Sequence, residues 1–188
     1  MSRQIGLLGG SFNPAHKGHL HVASTALKRL GLTEIWFVVA RGNPLKPDQG
    51  DYDERSKSVA RLIESNPRMK LCEVEFQKGL TYSVDTIRTL RHLHRKDKFI
   101  WIMGSDNLKS FHLWRDWKQI ALDVPIAVIA RPGSPPGKSV FERIFSKHRI
   151  PERSAGLLSK LQAPAWSYLK GPHHEESSSG IRNRDSTI

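Results

Sequence analysis

Short, almost unbroken apolar runs alternate along this chain with stretches in which apolar residues recur every three or four positions. The runs are Gln4–Gly9, Glu34–Ala40 (EIWFVVA), Met69–Phe76, Lys98–Met103 (KFIWIM) and Pro125–Ala130 (PIAVIA), each with the length and continuity of a strand buried on both faces. Between them, Gly18–Leu30 carries Leu20, Ala23, Leu27 and Leu30 on one side of a helix. A second helix starts near Asp53, where early acids suit the positive N-terminal end, and a third covers Ser83–Leu93. Asp106–Ile120 predicts short helical turns. Strands separated by helices need crossover connections, so the expected fold class is α/β: a doubly wound, mostly parallel sheet of five strands or more. Beyond Pro132 the pattern weakens into helices at Ser139–Lys147 and Glu152–Leu161, a short apolar run at Trp166–Leu169, and the polar GPHHEESSSGIRNRDSTI.

Composition adds bounds to this frame. A length of 188 residues suits one domain over 1–188, and 38% hydrophobic with 26% charged residues is ordinary for a soluble globular chain. Cys72 is the single cysteine, which excludes an intrachain disulfide and a cysteine-based metal cluster. No apolar run approaches the ~20 residues of a membrane span, and MSRQIGLLGG turns polar too soon for a secretory signal; the expected location is the cytoplasm, with no membrane partner. Thirty Lys and Arg against 18 Asp and Glu give a formal charge of +12, which predicts an anionic partner without naming one. RTLRHLHRKDK, Arg88–Lys98, is the densest basic stretch; its apolar Ile87, Leu90 and Leu93 keep helical spacing, so it reads as a solvated helix face.

The candidate chemistry lies where the first strand meets the first helix, the usual ligand position in a parallel sheet. GGSFNPAHKGH, Gly9–His19, packs poorly as core and makes sense as a phosphate site. Gly9 and Gly10 allow close backbone approach, and Pro14 stiffens the turn. The helix that follows offers its positive end and unpaired N–H groups. His16 and His19 lie three apart at that end, with Gly18 leaving the space between them open, so both imidazoles can donate to phosphate oxygens and stabilise developing charge. A zinc site on the same histidines lacks a third ligand of suitable type nearby.

Gly9-Gly10-x-Phe12-x-Pro14-x-His16-x-Gly18-His19 resembles the H-x-G-H signature of the nucleotidyltransferase superfamily, and its spelling is most similar to the bacterial nicotinate-nucleotide adenylyltransferases. Further segments fit the same family in order. Asn43-Pro44-Leu45-Lys46 resembles its N-P-x-K loop, Thr81-Tyr82-Ser83-Val84-Asp85-Thr86 its T-Y-[ST]-x-x-T segment, and Met103–Leu108 with Trp114 its G-x-D-x-L…W region. Arg131-Pro132-Gly133 matches its R-P-G, and Ser177–Arg182 its I-S-S-T-x-I-R helix start, with Glu176, Ser179 and Gly180 as departures.

The resemblance implies adenylyl transfer from ATP to nicotinate mononucleotide, with magnesium carried mainly by ATP and no metal ligands from the protein. It makes His16 and His19 the catalytic pair. Gly9, Gly10, Ser11, Phe12, Gly18, Lys46, Asp106, Arg131, Ser178, Ser179 and Arg182 become the ATP and phosphate residues, and Asn43, Thr81, Tyr82 and Trp114 the pyridine-nucleotide residues. Residues 171–188 are then an ATP-binding tail whose low apolar content predicts mobility. Trp36 and Trp101, inside apolar strands, and Trp117 are expected in the core. Rival readings are a sister adenylyltransferase acting on nicotinamide mononucleotide or phosphopantetheine, and a non-catalytic nucleotide- or nucleic-acid-binding protein. No recognised nucleic-acid motif supports the last, so no nucleic-acid partner is expected. Oligomeric state is not encoded in any of these patterns.

Overall fold

The computed structural model describes residues 2–42, 50–131, 136–137 and 139–170. Six strands form one sheet: β1 (Gln4–Gly10), β2 (Glu34–Val39), β3 (Met69–Cys72), β4 (Lys98–Gly104), β5 (Ile126–Ile129) and β6 (Trp166–Leu169), in the order β3-β2-β1-β4-β5-β6. Every pairing is parallel; Leu7 of β1, for example, lies between Trp36 and Trp101. From β1 the chain winds outward to β2 and β3, then crosses back to β4 on the other side of β1. The loops after β1 and β4 therefore diverge and open a crevice at the carboxyl edge of the sheet.

Side chains that alternate along the strands feed two cores. One face gathers Ile5, Leu7, Trp36, Phe99, Trp101, Val128 and Trp166 beneath the helices α4 (Ser83–Leu93), α5 (Trp117–Asp123) and α6 (Val140–Ile144). The other gathers Leu8, Ile35, Phe37, Ile100, Ile102 and Ile129 beneath α1 (Lys17–Arg29) and α2 (Tyr52–Ile63). Because both faces are covered, the strands are apolar throughout, which is the run pattern of the sequence. None of the described helices is long and apolar enough to cross a membrane.

Three elements depart from the sequence reading. The expected strand Met69–Phe76 stops at Cys72, and the chain turns into α3 (Val74–Lys78), closed by Gly79 at φ 65°. Glu75 is the physical reason: its carboxylate is buried and takes hydrogen bonds that an outward-facing strand position would not supply. Phe76, which the strand reading buries, is 54% exposed and stacks on Tyr52. Second, Trp166–Leu169 is a full sixth strand that pairs with β5. Third, the helix expected at Glu152–Leu161 is of the 3-10 type over Glu152–Lys160, whereas the short helical turns expected over Asp106–Ile120 are present as the 3-10 turns Ser105–Lys109 and Phe111–Leu113 ahead of α5.

Candidate active site

His16 is the N-cap of α1, and the two histidines close a reciprocal box. The Gly18 N–H donates to His16 Nδ1 at 3.1 Å, and the His16 N–H donates to His19 Nδ1 at 3.2 Å. The rings sit 3.8 Å apart between centroids, and Phe12 meets His19 edge-on at 4.9 Å. Two backbone donors that the sequence reading offers to phosphate are thus taken by imidazole. That use has a consequence: with both Nδ1 atoms accepting, each neutral ring carries its proton on Nε2. The Nδ1 edge of each ring is therefore set by a backbone N–H.

The glycines ahead of the pair have a packing role. A Cβ on Gly9 would lie 2.4 Å from Cη2 of Trp101, and one on Gly10 would lie 3.0 Å from the Phe12 ring. The space beside Gly9 is occupied by Trp101, 1% exposed, so close approach there is made by the protein's own indole. Phe12 adopts φ 50° and is buried, with its ring 5.6 Å from Phe37.

Helix α2 holds the loop from outside. Arg55, 3% exposed, donates through Nη1 to the Ser11 and Ala40 carbonyls, both at 2.8 Å, and through Nη2 to the Arg41 carbonyl at 3.5 Å. Ser58 Oγ accepts from the Ala15 N–H at 3.1 Å. Burial lowers the Arg55 guanidinium from its usual value, while the nearby Tyr52, Asp51 and Glu75 act the other way. A guanidinium donor thus joins the ends of β1 and β2 through three carbonyls, and sequence reasoning missed it. Its position inside a polar helix sequence, DERSKS, gives no sign of burial.

Across β1, Asp106 follows β4 and Arg131 follows β5. They form an ion pair at 3.2 Å, and the Arg131 N–H donates to Ser105 Oγ at 2.8 Å. Gly104 lets them approach, since its Cβ would lie 2.3 Å from Asp106 Oδ1 and 3.0 Å from Arg131 Cδ. These two candidate nucleotide residues hold one another. Farther along the edge, Thr81 and Tyr82 lead into α4, with the Arg115 guanidinium 4.5 Å above the Tyr82 ring. Trp114 is half-buried, edge-on to Phe111 at 5.3 Å and to Trp101 at 6.2 Å, so one side packs on the core and the rest reaches solvent. Trp36 and Trp101 are buried, and Trp117 packs on the same core.

The crevice edge thus carries Gly9, Gly10, Ser11, Phe12, His16, Gly18, His19, Thr81, Tyr82, Asp106, Trp114 and Arg131 from loops after β1, β3, β4 and β5. Asn43, Lys46, Ser178, Ser179 and Arg182 lie outside the described residues, as does the whole expected tail 171–188. Among the described residues no three His, Cys, Asp or Glu side chains gather as a metal site. Magnesium prefers oxygen ligands, whereas the histidine pair is nitrogen-only with both Nδ1 atoms engaged by backbone N–H groups, and Asp106 is ion-paired. These residues suit a metal that arrives on its own phosphate ligands.

A doubly wound parallel sheet, with donor groups at its switch point and half-buried aromatics beside them, defines a nucleotide-binding α/β domain of the nucleotidyltransferase class. Residues 7–184 match the model of the cytidylyltransferase-like family. A protein of Agrobacterium fabrum named "Probable nicotinate-nucleotide adenylyltransferase" is 45% identical over 183 residues, covering 95% of this chain and 97% of that one. One of Rhizobium meliloti with the same name is 43% identical, covering 97% and 98%. The chain belongs to the cytidylyltransferase-like family and, within it, to the nicotinate-nucleotide adenylyltransferases. The fold is shared with the Plasmodium falciparum nicotinic acid mononucleotide adenylyltransferase complexed with NaAD, at TM-score 0.76 and 21% identity over 96% of this chain and 83% of that one.

Proposed function

We propose that this protein transfers the adenylyl group of ATP to nicotinate mononucleotide, giving nicotinate adenine dinucleotide and pyrophosphate. The observation that carries the reading is the histidine box. It holds two imidazoles side by side at the start of α1, with the Nδ1 edge of each ring set by a backbone N–H. An acceptor phosphate oxygen attacks the α-phosphorus of ATP; the bond from that phosphorus to the β-bridging oxygen breaks, and pyrophosphate departs with the electron pair. Neither a protein nucleophile nor a covalent intermediate is needed, so positioning and electrostatic stabilisation supply the catalysis.

His16 and His19 stabilise the reacting phosphates, with Gly9, Gly10, Ser11, Phe12 and Gly18 shaping their loop. Lys46 and Arg182 neutralise phosphate charge as a point cation and a fork, assisted by Ser178 and Ser179 at a helix start. Asp106 and Arg131 contact the adenosine side. Magnesium held through the triphosphate would supply charge neutralisation for the departing pyrophosphate. Tyr82 and Trp114 give the pyridine ring flat partners, and backbone donors near Thr81, Tyr82 and Asn43 favour a carboxylate over an amide. The 188 residues act as one domain in the cytoplasm, with 171–188 contributing to ATP binding.

The test is pyrophosphate release from ATP and magnesium, run in parallel with nicotinate mononucleotide, nicotinamide mononucleotide and phosphopantetheine. Release with the first alone is expected. Release only with one of the others reassigns the acceptor, comparable release with both mononucleotides removes the selectivity argument, and none with any acceptor overturns the enzymatic reading.

A further inference from the structure

Two oppositely charged, buried side chains meet the backbone of one residue, Arg41, just beyond the end of β2. The Arg41 carbonyl accepts from Arg55 Nη2 at 3.5 Å, and the Arg41 N–H donates to Glu75 Oε2 at 3.1 Å. Glu75 belongs to α3 and is 3% exposed. Its other oxygen accepts from the Thr86 hydroxyl at 2.8 Å, in the first half of α4. Thr86 Oγ1 also lies 3.2 Å from the Tyr82 carbonyl, which is the cap of that helix. The link is doubled on the outside, where Arg41 Nη1 donates to the Gly79 carbonyl at 3.3 Å and the Leu80 N–H donates to the Glu75 carbonyl at 2.8 Å. One carboxylate therefore joins the turn after β2 to the start of α4.

We infer that Glu75 is a positioning residue for the acceptor nucleotide, fixing the Arg41 turn against the Tyr82 end of α4 and so setting the width of the pyridine pocket. The inference rests on the function proposed above for its choice of acceptor. Three observations favour this over a purely stabilising role. A buried carboxylate is a costly way to hold two loops, and burial does push the Glu75 carboxyl up against the opposing effect of its hydrogen bonds. Both of its partners lie at the carboxyl edge of the sheet, where ligands bind, and neither is on a strand. Finally, α3 turns its glutamate inward while the apolar Phe76 stays half exposed, covered on one face by Tyr52.

Glu75→Met removes both acceptors at similar length, whereas Glu75→Gln keeps an acceptor for Arg41. In the latter the amide donates to Thr86 Oγ1, and the Thr86 hydroxyl turns to the Tyr82 carbonyl. Initial rates with each substrate varied in turn should show the nicotinate mononucleotide KM rising about tenfold in Glu75→Met, the scale of one lost charge-assisted hydrogen bond. The ATP KM should stay within about twofold, and Glu75→Gln should recover most of the loss. Amide hydrogen exchange on the free proteins should quicken in Glu75→Met at residues 80–86 and 41–42. If Glu75→Met fails to fold, Thr86→Val, which removes a single bond, should raise the same KM about threefold.

An unchanged acceptor KM, a rise shared equally with ATP, or unchanged exchange overturns the inference. If the wild type turns over a different acceptor, the function reading fails while the KM split is read with that acceptor. If it turns over none, the exchange result alone decides whether the clamp exists.

Discussion

Gly9→Ala tests whether the first glycine of the loop serves packing. The added methyl would sit 2.4 Å from Cη2 and 2.7 Å from Cζ2 of Trp101, where carbon atoms normally rest ~3.5–4.0 Å apart. Relief requires the indole to move by about 1 Å or more. Trp101 is 1% exposed inside a close-packed core, so the neighbours must move with it. Overpacking of this kind costs about 1–3 kcal/mol, and the loss of glycine's unfolded-state freedom returns roughly 0.5–1 kcal/mol of that. A net destabilisation of about 1–2 kcal/mol should appear as a lower urea midpoint at constant slope.

A second substitution makes the argument specific. Trp101→Phe removes the part of the ring under Gly9 and leaves a cavity, at less than the ~3–5 kcal/mol of a full truncation to alanine. In the double variant the methyl enters that cavity, so its stability should exceed the additive expectation by about 1 kcal/mol or more. If Gly9→Ala folds within ~0.5 kcal/mol of wild type, or if the two changes add, the indole is not what requires a glycine. A rise confined to the ATP KM would then assign Gly9 to ligand approach instead.

Two further outcomes follow from the same geometry. His16→Asn keeps an N-cap acceptor for the Gly18 N–H but deletes the Nε2 donor; steady-state rates should fall roughly 10²-fold with thermal stability nearly unchanged, and His19→Ala should lose rate to a similar degree. A rate within about threefold of wild type for both would remove the histidines from the chemistry. At the far end of the sheet, the Arg3 guanidinium holds the Asp97 carboxyl below its ordinary value. A depressed carboxyl contributes stability above its unfolded-state pKa of ~3.9, and that contribution fades as pH falls through the folded value. Asp97→Asn should therefore cost about 0.5–1 kcal/mol at pH 7, discounted because Arg3 is over a third exposed, and the gap to wild type should shrink as the pH falls below the unfolded-state value; a gap independent of pH refutes the pairing.

The sheet was legible because both of its faces are covered. Strands buried on two sides are written as apolar runs, and β1, β2, β4 and β5 stand out as such. The misread segment obeys a different rule. In Met69–Phe76 the apolar positions continue past the strand end, but the backbone is decided by where a glutamate can find two donors, and those come from Arg41 and Thr86, 34 and 11 positions away. No local pattern encodes that. Arg55 is hidden in the same way, as a cation in a charged helix start whose partners are carbonyls of distant loops.

The histidines were legible as a pair from their spacing, yet the spacing alone leaves open which nitrogen faces the ligand. That choice follows from the cap. Once the Gly18 and His16 N–H groups donate to the two Nδ1 atoms, the helix end is no longer an anion site of bare backbone donors. On the proposed function, the attraction for phosphate then rests on the two imidazoles rather than on the Gly18 N–H. A bare helix end fits a phosphate bound in one place, as in a storage or regulatory site. On the proposed function, two rings braced by the backbone, with centroids 3.8 Å apart, are placed beside each other to meet charge that moves between two oxygens, which is the requirement of group transfer.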